Sequence, residues 1–245
     1  MSKKSTKTIG IIGGMGPEAT AYFYWLIIKN TKAAKDQEHI HVIIDSYPQI
    51  PPRTDAILGN GPSPLPYLVA SARRLELAGA DFLVMPCVTA HYYCDRLRRR
   101  GRLPMVSLIE ETVKEAQRLL PRAQKIGLIA SRGTVRSGLF QVALKNAGLT
   151  TLTPAAREQA KVMEAIFGKK GIKAGVTSGK PREIILAAAR NLIAAGAEAI
   201  IAGCTEVPLV LKPDDLRVPL LEPMLIAARR CINLAGYEVK PEPVF

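Results

Sequence analysis

The chain is poor in aromatic side chains (5%), has a single tryptophan and three histidines, and contains no Cys-x-x-Cys pair. Each shortage closes a class of function. The histidines (His39, His41, His91) do not stand at zinc-finger spacing from the cysteines, so no metal site is expected. Four cysteines in 245 residues do not make a disulfide framework and read as reduced thiols. No apolar run approaches the length of a membrane span, and the opening Met1-Ser-Lys-Lys-Ser-Thr-Lys leads directly into a short strand rather than a signal sequence. A cytoplasmic protein without membrane association is therefore expected. Gly10-x-x-Gly13-Gly14-Met15-Gly16 lacks the spacing of a dinucleotide fingerprint, so binding of a small carboxylate is expected there ahead of NAD.

What is abundant is positive charge and apolar surface. The formal net charge is +13 and 48% of residues are hydrophobic, enough for substantial cores. The densest basic cluster is Arg96, Arg98, Arg99, Arg100 and Arg102, with no aromatic side chain interleaved as a base-stacking groove would require. It reads as solvated surface charge, and no nucleic-acid partner is expected.

Two segments repeat. Gly79-Ala-Asp, an apolar run and Cys87 match Gly196-Ala-Glu, an apolar run and Cys204, at an offset of 204 − 87 = 117. Ile9-Gly10-Ile-Ile and Ile126-Gly127-Leu-Ile share that offset, 126 − 9 = 117. Short continuous apolar runs are expected as strands at 9–12, 42–45, 82–85, 126–130 and 200–202, with shorter ones at 105–107 and 218–221. Helical patterns cover 18–31, 64–78, 89–100, 110–120, 138–147, 158–167, 181–195 and 223–235. Apolar strands separated by helices predict an α/β fold of two similar, pseudo-symmetric domains, each a mainly parallel sheet flanked by helices. The expected boundaries are 1–111 plus 218–245 for the first domain and 112–217 for the second, the last strand and helix returning to the first half.

The loops expected to act lie past the strand ends: 13–18, 46–53, 86–91, 131–134 and 203–207. The glycine-rich turn before Pro17 presents a helix N-terminus suited to a carboxylate. Cys87 and Cys204 each follow a strand and precede a hydroxyl residue (Thr89, Thr205), where a helix N-terminus would depress the thiol pKa. Either cysteine alone would read as core packing, as Cys94 and Cys231 do. Two matched thiols, one as thiolate and one protonated, suit a reaction that removes a proton from one face of a carbon and returns one to the other, as racemisation requires. The resulting carbanion needs its carboxylate gripped by cations or N–H groups, and Arg53 and Lys173 are the candidates.

Six motifs in order, Ile9-Gly-Ile-Ile-Gly-Gly-Met-Gly-Pro-Glu-Ala-Thr20, Pro48-Gln-Ile-Pro-x-Arg-Thr54, Met85-Pro-Cys-x-Thr-Ala-His91, Ile109-Glu-Glu-Thr112, Gly171-Ile-Lys-Ala-Gly175 and Gly203-Cys-Thr-Glu-Val-Pro208, resemble the aspartate racemase branch of the aspartate/glutamate racemase family. The resemblance runs from about Thr8 to about residue 235. It implies two α/β domains with the site in the cleft between them, a homodimer, an amino-acid substrate, and no pyridoxal phosphate, metal or nucleotide. It also implies Cys87 and Cys204 as acid/base thiols, Arg53 and Lys173 as holders of substrate carboxylates, and Met15, Gln49, Thr89, Thr134 and Thr205 as pocket residues. His91 and Glu206 take supporting roles.

Three departures bear on substrate. Val88 stands where the family has asparagine, Ser46-Tyr47 where it has an asparagine pair, and Pro52 where it has aspartate. Loss of hydrogen-bonding groups to a polar substrate shifts preference by orders of magnitude. Aspartate is the first expectation, with glutamate or a less polar amino acid as the alternative. A related decarboxylase, isomerase or hydantoin racemase, and a non-catalytic amino-acid-binding relative, are the other readings of the same motifs.

Overall fold

The computed structural model describes residues 6–241. In chain order its elements are β1 (Ile9–Gly13), α1 (Pro17–Asn30), β2 (Val42–Ser46), α2 (Arg53–Ile57), α3 (Leu65–Leu77), β3 (Phe82–Val84), α4 (Cys94–Arg98), β4 (Met105–Val106) and α5 (Leu108–Leu119). There follow β5 (Lys125–Ile129), α6 (Arg132–Ser137), α7 (Leu139–Asn146), β6 (Thr150–Leu152), α8 (Ala156–Phe167), α9 (Lys180–Ala194), β7 (Ala199–Ala202), α10 (Val207–Val210), β8 (Leu220–Leu221) and α11 (Pro223–Leu234).

Two parallel four-stranded sheets result, ordered β2-β1-β3-β4 and β6-β5-β7-β8, with every pairing parallel. The central strands β1, β3 and β7 are buried throughout and β5 is buried beyond Lys125, which explains their continuous rather than alternating apolar sequence, while the edge strands β2 and β6 are partly exposed. The register reproduces the repeat: Ile9, Gly10 and Ile11 pair with Phe82, Leu83 and Val84, and Ile126, Gly127 and Leu128 pair with Ala199, Ile200 and Ile201, each position displaced by 117. Gly10 is glycine because a Cβ there would stand 2.8 Å from Leu83 and 2.9 Å from Ala80. Gly127 is held to glycine by the matching pair, Ile200 at 2.6 Å and Ala197 at 3.2 Å.

The Gly-Ala-acid signature has a structural cause. Gly79 and Gly196 end helices in the left-handed region, at φ 92° and 95°. The acidic side chain then takes the N–H groups at the start of the neighbouring strand: Thr8 N–H donates to Asp81 at 2.7 Å, and Gln124 and Lys125 N–H donate to Glu198 at 2.8 and 3.1 Å. Backbone bonds close the same junctions, Asp81 N–H to Thr8 O and Glu198 N–H to Lys125 O, both 2.9 Å. The two bonds to Glu198 hold its carboxyl below the ordinary range.

The chain divides into two compact units, Met1–Pro52, Pro62–Leu108 and Met224–Phe245 in the first, Arg53–Gly61 and Ile109–Pro223 in the second. Three expectations differ from the structure. The strand at 218–221, expected to return to the first half, pairs with β7 in the second sheet, Ile200 opposite Leu220. Only the final helix returns, tying down the first unit through Lys7 N–H to Ala235 O (3.1 Å) and Arg229 to Asn30 (3.1 Å). Arg53–Gly61, expected within the first domain, belongs to the second unit as the short α2 and its turn, packed on α6. The expected helix at 89–100 is a 3₁₀ turn (Thr89–Tyr93) followed by α4. Helices α2, α6 and α10 and strand β6 were not expected, being too short to show a period.

Candidate functional site

In the first unit the glycine-rich loop joins β1 to α1. Thr20 stitches it: its hydroxyl accepts from Gly14 N–H at 2.9 Å and donates to Gly16 O at 2.9 Å. Gly14 sits at φ +86°, and a Cβ there would collide with the Tyr47 backbone. The loop is thus pressed against the β2 exit, where Tyr47 N–H reaches Gly13 O at 3.4 Å. Met15 is buried and Gln49 is exposed. Among the departures from the family pattern, Tyr47 lies beneath the Arg74 guanidinium (5.5 Å), which also pairs with Asp45 at 2.7 Å, while Ser46 and Pro52 are exposed.

Cys87 lies in the loop after β3, its residue only 6% exposed. Its carbonyl accepts from Ala90 N–H (3.2 Å) and from His91 Nδ1 (2.9 Å). Leu108 N–H donates to His91 Nε2 at 3.0 Å, so Nδ1 carries the ring proton. Buried His91 therefore has a defined role: as a neutral imidazole it clamps the Cys87 loop to the first residue of α5. Val88 is buried beside Cys87, and Thr89 is half-buried.

In the second unit Cys204 follows β7 through Gly203, whose missing Cβ would stand 2.5 Å from Leu128 and 2.9 Å from Ala130. The Cys204 thiol donates to Glu206 Oε2 at 2.8 Å, and Thr205 Oγ1 donates to the same oxygen at 3.1 Å. The other oxygen, Oε1, is bound by the Lys173 ammonium at 2.6 Å. Glu206 is a buried carboxylate and Lys173 leads outward, its side chain 32% exposed. The expected depressed thiol pKa is corrected here: burial foremost, then the charge and hydrogen bond of Glu206, push Cys204 well above the ordinary thiol value, with Lys173 opposing weakly.

Lys173 is presented by a single 3₁₀ turn, Ile172–Ala174, between Gly171 and Gly175 at φ +85°. A Cβ at Gly171 would stand 2.8 Å from Ala165 O, so the turn lies directly on α8. Phe167, at the end of that helix, lies beneath the ammonium at 5.5 Å. Nothing in the sequence pattern singled out Phe167, because its relation to Lys173 exists only after the chain turns back. Thr134 is fully buried, its N–H accepted by Ser131, the N-cap of α6, at 3.2 Å. Gly133 lies directly against Thr54, which joins this turn to α2 and places half-buried Arg53 at the start of that helix. The structure thus gathers Cys204, Thr205, Glu206 and Lys173 into one contact cluster, and separately Arg53 with the Thr134 turn. Cys94 and Cys231, like the other two cysteines, are buried and form no disulfide. Among the described residues no group of three or more His, Cys, Asp and Glu is placed to hold a metal, and no helix is long and apolar enough to cross a membrane.

Similar proteins carry the same plan. The broad specificity amino-acid racemase RacX of Bacillus subtilis is 28% identical over 232 residues, covering 92% of this chain and 96% of that one. A glutamate racemase of Aquifex aeolicus is 32% identical over 145 residues, about half its own length (53%). Among solved structures, the aspartate racemase of Picrophilus torridus superposes with a TM-score of 0.83 at 26% identity, 96% of each chain being covered. An aspartate racemase homologue from Pyrococcus horikoshii gives 0.76 at 28% identity, covering 94% of this chain and 99% of that one. The profile of the Asp/Glu/Hydantoin racemase family matches residues 12–231, a span from the glycine-rich loop through both cysteine loops and into the last helix, and the chain belongs to that family.

Proposed function

We propose that the protein is a cofactor-independent amino-acid racemase that interconverts L- and D-aspartate by proton transfer between two cysteines, in a homodimeric, cytoplasmic enzyme. The observation that carries this reading is the register: Cys87 and Cys204 leave equivalent strands, displaced by 117, in two units of the same topology. A duplicated scaffold that retains a thiol at the matched strand end of each copy supplies two proton carriers for opposite faces of one α-carbon. Cys204, held as a thiol by Glu206, is the donor in the resting protein, and Cys87 is the partner that removes the proton. The developing carbanion spreads charge into its carboxylate, and N–H groups of the glycine-rich and cysteine loops, with Arg53, stabilise it in the transition state. Lys173, assigned by resemblance to the substrate carboxylate, is engaged by Glu206, so its role includes holding that carboxylate beside the thiol.

Val88 favours a second reading of the substrate. It places a buried apolar side chain directly after Cys87, and the relative from Bacillus subtilis is named for broad specificity. A site lacking the amide would discriminate less strongly for a β-carboxylate and accept glutamate or less polar amino acids.

Proton NMR in deuterium oxide, without added cofactor, tests both readings on L-aspartate, L-glutamate and a panel of apolar amino acids. Loss of the α-proton signal with growth of the D-enantiomer is expected, and its substrate order ranks aspartate against the panel. Binding without exchange for every amino acid tried would reduce the protein to a non-catalytic relative. Light scattering on a sizing column distinguishes the proposed dimer from a monomer.

A further inference from the structure

After one turnover a two-thiol racemase is left in the wrong protonation state for another molecule of the same enantiomer. The thiol that gave its proton is a thiolate, the thiolate that took one is a thiol, and the pair must be reset through solvent. Cys204 is poorly placed to do this directly, since its residue is only 7% exposed. Its Sγ instead donates at 2.8 Å to Glu206 Oε2, and the same carboxylate is bound through Oε1, at 2.6 Å, by Lys173, whose side chain is 32% exposed. The three groups form a line from a buried thiol through a buried carboxylate to a cation at the protein surface. Phe167, beneath the ammonium at 5.5 Å, holds the outer end of the line in place.

We infer that Glu206 is the proton carrier that resets Cys204 between turnovers, passing protons between the buried sulfur and water at the Lys173 end. The step balances in both directions. Outward, Cys204 S–H breaks and its proton forms an O–H bond on Glu206, sulfur keeping the electron pair as thiolate; Lys173 gives an N–H proton to water and takes the carboxyl proton in its place, which restores carboxylate and ammonium. Inward, Lys173 passes an N–H proton to Glu206 and regains one from water, while Glu206 delivers its proton to the thiolate. At rest Lys173 is protonated and stabilises the carboxylate form of Glu206. This inference rests on the two-thiol reading above, and it assigns Glu206 a role that does not require touching the substrate.

Glu206→Gln removes the proton-accepting oxygen while preserving size, and Glu206→Asp keeps a carboxylate and serves should the glutamine variant not fold. Two readouts separate the inference from the racemase assignment. The first needs no substrate: alkylation of Cys204 by iodoacetamide, followed by mass spectrometry of its peptide across pH. In the unmodified protein the midpoint is expected above the ordinary thiol value, and in Glu206→Gln it falls, because the negative charge beside sulfur is gone. An unchanged midpoint would overturn the inference whether or not the protein racemises anything.

The second readout is steady-state racemisation at rising substrate. Reset governs the saturated rate but not capture of substrate at low concentration, so Glu206→Gln is expected to lower kcat by about tenfold or more with a far smaller change in kcat/KM. The concentration at which net rate declines by trapping of the product-side form should fall as well, and Glu206→Asp should restore part of both effects. Equal losses in kcat and kcat/KM, with that concentration unmoved, would show that Glu206 only positions the thiol and would overturn the inference.

Discussion

Cys204 and Cys87 leave equivalent strand ends in different surroundings. Beside Cys204 a buried carboxylate accepts the thiol hydrogen bond, whereas Cys87 has its carbonyl, not its sulfur, secured by the neutral His91 ring. The raised pKa of Cys204 has a consequence for stability with a definite sign. The native state keeps a proton that the unfolded chain gives up near its ordinary value of 9.0, so the contribution is intact below that pH and is lost as pH rises through the native value. Thermal denaturation followed from pH 8 to 11 should show a falling melting temperature, with a shallower alkaline slope in Cys204→Ser; equal slopes would contradict the assigned environment. Gly14 supplies a second residue-scale prediction. Gly14→Ala forces a side chain into the left-handed region and into the Tyr47 backbone, so a loss of at least ~1–2 kcal/mol is expected in urea unfolding. At this scale the sequence was legible where a residue type has few uses, as for the paired cysteines and the loop glycines. It was silent on the Glu206–Lys173 pair and on Phe167, because those contacts join residues brought together only by the return of the chain after α8.

Among elements, the junction of helix end, strand start and acidic side chain recurs in both units. The first Gly-Ala-acid run ends α3 and anchors β1, and the second ends α9 and anchors β5. Asp81→Ala should therefore cost about 1 kcal/mol by freeing the Thr8 N–H, detected as faster amide exchange at the β1 start with the β5 start unaffected. Ser131→Ala removes the α6 cap and the restraint on Thr134, with about 1 kcal/mol expected in the same unfolding assay. Long elements were readable from the pattern of apolar residues, and the strands expected at 9–12, 42–45, 82–85, 126–130 and 200–202 fall within a residue of those limits, whereas β6 carried no such signal. The short α2, α6 and α10 offered fewer than two turns of pattern. The strand at 218–221 was assigned to the wrong sheet because a two-residue pairing has no sequence signature of its partner.

At the scale of the molecule, one architecture is present twice, and the paired sequence landmarks were enough to reveal it because duplication preserves spacing inside each copy better than it preserves residues. The offset is 117 at β1/β5 and again at β3/β7, but 151 − 42 = 109 at the edge strands β2/β6, where Ile9 pairs with Val42 and Ile126 with Thr151, and 220 − 105 = 115 at β4/β8. That drift explains why the domain limits were less legible than the repeat itself. The pattern of retention also frames the function. The apolar strands, the strand-start acids and a thiol at the matched strand end persist in both copies, while the carboxylate at Glu206 has Val207 and Pro208 after it and no acidic counterpart at Thr89, its equivalent by the same offset. The two thiols are accordingly expected to differ in function as acid and base, not merely in position.

The most direct measurement compares α-proton exchange in deuterium oxide for the unmodified protein, Cys87→Ser and Cys204→Ser, each starting from the L- and the D-enantiomer of the best substrate. The account predicts exchange with racemisation from both enantiomers in the unmodified protein and a loss of racemisation by roughly 10²–10⁴-fold in each serine variant. Undiminished racemisation by either variant would contradict the two-thiol mechanism.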